Sequence, residues 1–249
     1  MNINRYRVNQ QGVGEFDGGK ITEQKPIGFP GEGSEVKRVG PLFYWAWAKS
    51  EQEGYIPLHP HQGFEIITYV ISGKAEHGDS LGTRSSVGAG GLQVMQTGSG
   101  VSHEEGFVGP NMQGFQIWFE PHLSKALHRK PTYQQYDHEE FQTEVKEGIR
   151  VKEILGNDSP VEFVTDAFMW DIDINKDHTY IHSIEKGRSV SILILNGRGS
   201  LSKNEFDAKD FWVIQADKLN SIEIHATEST RMIVIDVPST VDYPLYRKK

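Results

Sequence analysis

Apolar residues recur along this chain in short runs bounded by glycine, proline and polar turn residues. In EIITYVI, from Glu65 to Ile71, alternate positions divide between two faces: Glu65, Ile67 and Tyr69 on one, Ile66, Thr68 and Val70 on the other. The β-branched and aromatic content reads as a strand, with Ser72-Gly73 as the turn that closes it. PLFYWAWAK at 41–49, GLQVM at 91–95 and FQIWFEP at 115–121 read the same way, the first as a core strand for its density of aromatic rings. A single helical turn is expected within Leu123 to Arg129, ended by Pro131. The pattern predicts an all-β protein.

The second half repeats the first faintly. SILILNGRGSL at 191–201 mimics ITYVISGKAEH, DFWVI at 210–214 mimics GLQVM, and RMIVIDVP at 231–238 mimics FQIWFEP, all at an offset of about 120 residues. The polar stretch from Glu120 to Gln135 is the candidate linker, and 249 residues suit one large β domain or two of about 120 residues each.

The candidate chemistry lies in two places. His59 and His61 stand two apart at the entry to a strand, so both imidazoles project from one face. His103 and Glu105 repeat that spacing after the glycine-rich turn Thr97-Gly98-Ser99-Gly100. If the two segments are neighbours, three imidazoles and a carboxylate converge on one point, a donor set suited to a divalent metal. Glu65, four residues after His61, competes for the fourth position, whereas Glu104 is out of phase with His103 and points away. His77 reads as a hydrogen-bonded structural histidine. His178 and His182 are four apart in a segment of β character, which is not a helical zinc pair.

Composition narrows the picture. With no cysteine, thiolate zinc sites, disulfides and cysteine nucleophiles are excluded. A net charge of −8 argues against a nucleic-acid surface. The basic end Arg247-Lys248-Lys249 reads as a solvated tail. No apolar run approaches the roughly 18 residues of a membrane span and the first residues are polar, so the expected location is the cytoplasm.

The strings HPHQGFEIITYV, EHGDSLG at 76–82, GLQVMQTGSGVSHEE at 91–105, FQIWFEP and Pro131-Thr132-Tyr133-Gln134, taken in that order, resemble the pirin family. The resemblance implies a bicupin, two cupin-type antiparallel β-barrels in one chain, here expected as a metal-binding barrel at 1–135 and a degenerate one without metal at 136–249. It implies His59, His61, His103 and Glu105 as metal ligands, deciding for Glu105 over Glu65, and one divalent transition metal, with Fe(II) leading and nickel, copper, manganese or zinc compatible. Among pirins it points to a dioxygenase of the quercetin 2,3-dioxygenase type, with dioxygen and a small aromatic substrate as partners and Glu105 as the base. The other activity it implies is a non-enzymatic regulator that binds a transcription factor or a metabolic enzyme. Many pirins carry Arg or Lys after HPH; this chain has Gln62, which weakens transfer of any partner or substrate preference that depends on that charge.

Overall fold

The computed structural model describes residues 1–248. The chain opens with β1 (Asn2–Tyr6), followed by β2 (Gly12–Phe16), β3 (Ile21–Ile27), β4 (Leu42–Ser50), β5 (Glu53–His61), β6 (Glu65–Asp79), β7 (Arg84–Gly88), β8 (Leu92–Gln96) and β9 (Val101–Phe119). One helical turn, α1 (Leu123–Ala126), leads to β10 (Thr132–Tyr136). Then come β11 (Thr143–Lys146), β12 (Ile149–Leu155), β13 (Phe168–Ile174), β14 (Thr179–Ile184), β15 (Arg188–Asn196), β16 (Gly199–Leu201), β17 (Asn204–Phe206), β18 (Phe211–Gln215), β19 (Asn220–Ala226) and β20 (Thr230–Pro238). The protein is all-β, built as two cupin-type barrels.

The first compact unit comprises residues 11–140 with 242–249, of which residue 249 lies outside the description, and the second comprises 1–10 with 141–241. Chain order alone does not place the ends. β1 adds to the second unit's sheet by pairing with β18, Asn2 opposite Gln215. The polar stretch after Glu120, expected as the linker, contributes β10 to the first unit, because Thr132 to Tyr136 pairs with Gln96 to Leu92 of β8.

In the first unit the two long strands each serve both faces of the barrel. Residues 65–69 of β6 pair with β8 and residues 65–72 with residues 113–119 of β9, while residues 74–78 pair with β7 and residues 74–79 with residues 103–108 of β9. The turn expected at Ser72-Gly73 is instead a bend inside β6. Gly73 has φ of 73°, and a methyl group there would stand 2.8 Å from Met112 Cα and 2.8 Å from the Val108 carbonyl oxygen. Only glycine fits that backbone angle at that approach, so the strand kinks and continues. The register slips at the same point, from Ser72 opposite Gln113 to Lys74 opposite Val108, so β9 loops out and folds its two halves toward each other. Ile21, Ala48, Ile56, Val70, Ala75, Val87, Phe107 and Met112 fill the space between.

The second unit keeps the same plan. β15 lies between β18 and β20 as β6 lies between β8 and β9, and β14 pairs with β19 as β5 pairs with β9. It holds a large apolar cluster: Ile172, Ile192, Trp212, Ile222, Ile224 and Val234 are buried together.

Of the basic end expected as a solvated tail, Arg247 is exposed and Lys249 lies outside the described residues, but Lys248 is held by the protein. Within the first unit the Tyr243 hydroxyl donates to the Glu120 carbonyl at 2.8 Å, and Lys248 Nζ donates to the carbonyls of Gly28, at 3.0 Å, and of Lys37 and Phe43, while lying 4.2 Å from the centre of the Phe43 ring. Three carbonyl acceptors and a ring face replace water around the ammonium.

Replacing Gly73 with Ala should cost about 2 kcal/mol or more, since it combines a backbone angle worth roughly 1–3 kcal/mol to a side chain with a steric overlap against backbone. Thermal unfolding checks this, and a midpoint equal to that of the parent would refute the role given to the bend.

Candidate metal centre

Pairing of β5 with β9 sets the site. His59 lies directly opposite His103, and a register shift between Ile56 and His59 brings Ile56 opposite Glu105. On the other side of β9, Asp79 and His77 of β6 lie opposite His103 and Glu105. The i, i+2 spacing then sends His59, His61, His103 and Glu105 to the barrel interior.

The three histidines meet. Their ligand atoms all lie within 4.8 Å of one another, and their ring centres are 4.4 to 4.8 Å apart. His59 Nδ1 donates to the Pro57 carbonyl at 2.7 Å, which leaves Nε2 as the free lone pair. The Nε2 atoms of His61 and His103 are buried without a hydrogen-bond partner. Orphaned imidazole nitrogens that converge are what a metal ion satisfies. Burial first, and then the neighbouring histidines, lowers both His61 and His103 to about 3, so both present neutral donors; at His103 Asp79 pulls weakly the other way.

Glu105 is buried beside this triangle, with its carboxylate turned to a glutamine. Gln116 Nε2 donates to its two oxygens at 2.7 and 2.8 Å. Burial pushes the Glu105 carboxyl up, against the opposing pull of His59, Gln116, His77 and Thr68. The competing carboxylates stand elsewhere. Glu65 lies opposite Phe119 at the far end of β6, where Gln96 Nε2 donates to it at 2.9 Å. Glu104 accepts from the Tyr55 hydroxyl at 2.5 Å and pairs with Arg84 at 3.1 Å. Among the described residues, only His59, His61 and His103 form a group with metal-ligand spacing.

Two walls surround the histidines. On one side His77 stacks on Tyr133 with ring centres 4.0 Å apart, and its Nε2 lies 3.0 Å from Asp79 Oδ2. Burial acts to raise Asp79, yet the hydrogen bonds from His77, Thr83 and Leu81 hold its carboxyl below the usual range. On the other side Trp118 meets His61 edge-on at 4.8 Å and joins Phe29, Phe43, Tyr44 and Phe64. Phe43 and Tyr44 come from the aromatic run 41–49 that reads as a core strand. Gln116, Trp118 and Tyr133 were not singled out by spacing. Their signal was local: Gln116 is the one uncharged polar residue among the apolar residues of FQIWF, and Tyr133 sits in the PTYQ string.

The second barrel lacks this constellation. On β14 a single His182 lies opposite Ile222 of β19, and it is buried with its Nε2 unpartnered, burial lowering it to about 4. Ile222 and Ile224 of β19 belong to the buried apolar cluster of this barrel.

A sequence profile described as Pirin matches residues 42–119, and one described as Quercetinase C-terminal cupin domain matches residues 155–237. The chain belongs to the pirin family. It is 27% identical over 188 residues to a protein named quercetin 2,3-dioxygenase from Escherichia coli K12, covering 72% of this chain and 75% of the relative. To a pirin-like protein from Solanum lycopersicum it is 27% identical over 204 residues, covering 80% of this chain and 68% of the relative. The crystal structure of the bacterial pirin YhhW from Escherichia coli in complex with nickel(II) superimposes with a TM-score of 0.79 over 95% of this chain and 99% of that one, at 23% identity. That likeness carries the bicupin fold.

His61→Ala and His103→Ala should each abolish stoichiometric metal while the circular dichroism of the barrels persists, and the parent should hold about one ion per chain. Two ions per chain, or full loading of either variant by mass spectrometry, would contradict this. In the metal-free protein the imidazole resonances of His61 and His103 should stay in their neutral form from pH 8 to below pH 5, because both titrate near 3; protonation near the ordinary value of about 6.5 would show that neither is desolvated.

Proposed function

We propose that the chain is a metal(II)-dependent dioxygenase of the quercetin 2,3-dioxygenase type, acting on a flavonol or another enolisable phenol, with His59, His61, His103 and Glu105 as the metal ligands. The observation that carries this reading is the convergence of three imidazoles, two with orphaned nitrogens, next to a buried carboxylate and an aromatic wall. Bound there, a divalent transition metal would supply Lewis acidity toward a phenolic oxygen and, for a redox-active ion, chemistry with dioxygen. Fe(II) is the leading candidate, and imidazole and carboxylate donors also accept nickel, copper, manganese and zinc.

The chain's own residues do the rest. The three histidines would hold the ion, with Glu105 as the fourth donor. Trp118, Phe64 and Tyr44 offer flat apolar surface against which a planar ring can lie. Glu105 accepts the proton of the substrate hydroxyl on a carboxylate oxygen, and its burial, which raises its proton affinity, makes it a stronger base than an exposed glutamate. Dioxygen and the aromatic substrate are then the small-molecule partners.

A second reading is a metal-dependent regulator that binds another protein, with Leu58, 57% exposed immediately before His59, at the edge of the metal site.

Protein reloaded anaerobically with Fe(II) should consume dioxygen with at least one compound in a panel of flavonols and enolisable phenols; tight metal binding with no uptake across the panel would favour the regulator. With metal at saturation, Glu105→Gln should slow turnover by about a hundred- to ten-thousand-fold, while Glu65→Gln should leave both metal content and rate close to the parent. The reverse ranking would make Glu65 the fourth ligand.

A further inference from the structure

Glu105 and Gln116 lie eleven residues apart on one strand, a separation of about 36 Å if β9 were straight. The bend in β9 folds them into hydrogen-bond contact across the barrel interior. The contact is unusual in its geometry. One amide nitrogen serves both oxygens of the carboxylate, at 2.7 and 2.8 Å, and Thr68 adds a further side-chain hydrogen bond.

The orientation of that amide is itself held. Gln116 Oε1 accepts from Trp118 Nε1 at 3.1 Å, so turning the amide over would put its NH2 against an indole N–H, donor against donor, and its oxygen against the carboxylate. Trp118 in turn rests edge-on against His61 and packs with Phe43, Tyr44 and Phe64. The order of contact runs from the aromatic wall to Trp118, to Gln116, to Glu105.

We infer that Gln116 is a positioning residue for the metal centre: through its two hydrogen bonds it holds Glu105 so that one oxygen at most can be given to the metal while the other stays on the amide, and Trp118 locks the amide in the sense that allows this. This inference rests on the ligand assignment proposed above. A carboxylate restrained in this way would offer a metal one oxygen in a fixed orientation. Without the amide, a buried carboxylate loses its principal hydrogen-bond donor and its fixed orientation. Because the indole of Trp118 also forms part of the aromatic wall, a planar substrate seated there contacts the same group that sets the amide.

The test is metal affinity, read by chelator competition with Co(II) and by the visible absorption of the Co(II) form, on the full chain. Gln116→Leu should lower affinity about ten- to a hundredfold, the usual effect of removing a partner that orients a ligand, and should alter the Co(II) spectrum. In a Glu105→Ala background the same substitution should change affinity by less than about twofold and leave the spectrum alone, since Gln116 then has no ligand to position. Trp118→Phe, which keeps the ring and removes the N–H, should cause a smaller loss in the same direction that disappears once Gln116 is leucine; should Gln116→Leu fail to fold, Trp118→Phe with and without Glu105→Ala carries the test. An equal loss in both Glu105 backgrounds would mean that Gln116 supports the barrel and not the ligand, overturning the inference. No loss in the parent background, with His61→Ala still abolishing binding, would overturn the inference and leave the three-histidine site standing. Retention of metal by His61→Ala would overturn both.

Discussion

Antiparallel pairing of the first half of β9 with β5 on one side and β6 on the other is the constraint that the site obeys. It puts His103 opposite His59 and Glu105 opposite His77, and it makes the parity of each strand decide which side chains enter the barrel. A slip of one residue would turn His103 and Glu105 outward and bring Glu104 in, with its present partners Tyr55 and Arg84 left behind. Register is held from a distance. Residues 113–119 of β9 are locked between β4 and β6, and the bend at Gly73 passes that alignment to the half that carries the ligands.

The electrostatics of the site follow from its depth. Imidazoles and a carboxylate taken out of water lose solvation in their charged forms, so His61 and His103 shift down and Glu105 shifts up. Each shift makes the group more useful: a neutral imidazole is a ligand, and a carboxylate with raised proton affinity is a better base. The cost is a set of polar atoms with no partner in the folded chain, His61 Nε2 and His103 Nε2 among them. Such atoms are tolerated where a ligand can satisfy them.

The second barrel shows the alternative solution on the same plan. Its β14 and β19 pair as β5 and β9 do, yet Ile222 and Ile224 belong to its buried apolar cluster. Both barrels also draw on chain that lies far away in sequence, β1 for the second and Tyr243 to Lys248 for the first.

Much of this was legible in the residues. The strands, the two-residue spacing of HPH and HEE, the outward phase of Glu104 and the faint repeat are local properties, because a side chain's face on a strand depends only on its position. The three histidines could therefore be named before any fold was known. What depended on tertiary structure was everything decided between segments. Ser72-Gly73 looked like a turn because glycine with a polar neighbour usually is one, and only the approach of Met112 and Val108 shows it to be a bend in a longer strand. The stretch ending in Tyr136 looked like a linker because edge strands can be polar, and Lys248 looked solvated because charge usually is, until β8 and three carbonyls proved to be their partners. Gln116 carries no metal-ligand signature, and its meeting with Glu105 required β9 to fold back on itself. Spacing along a strand encodes direction, but contact across a barrel depends on where the strands bend.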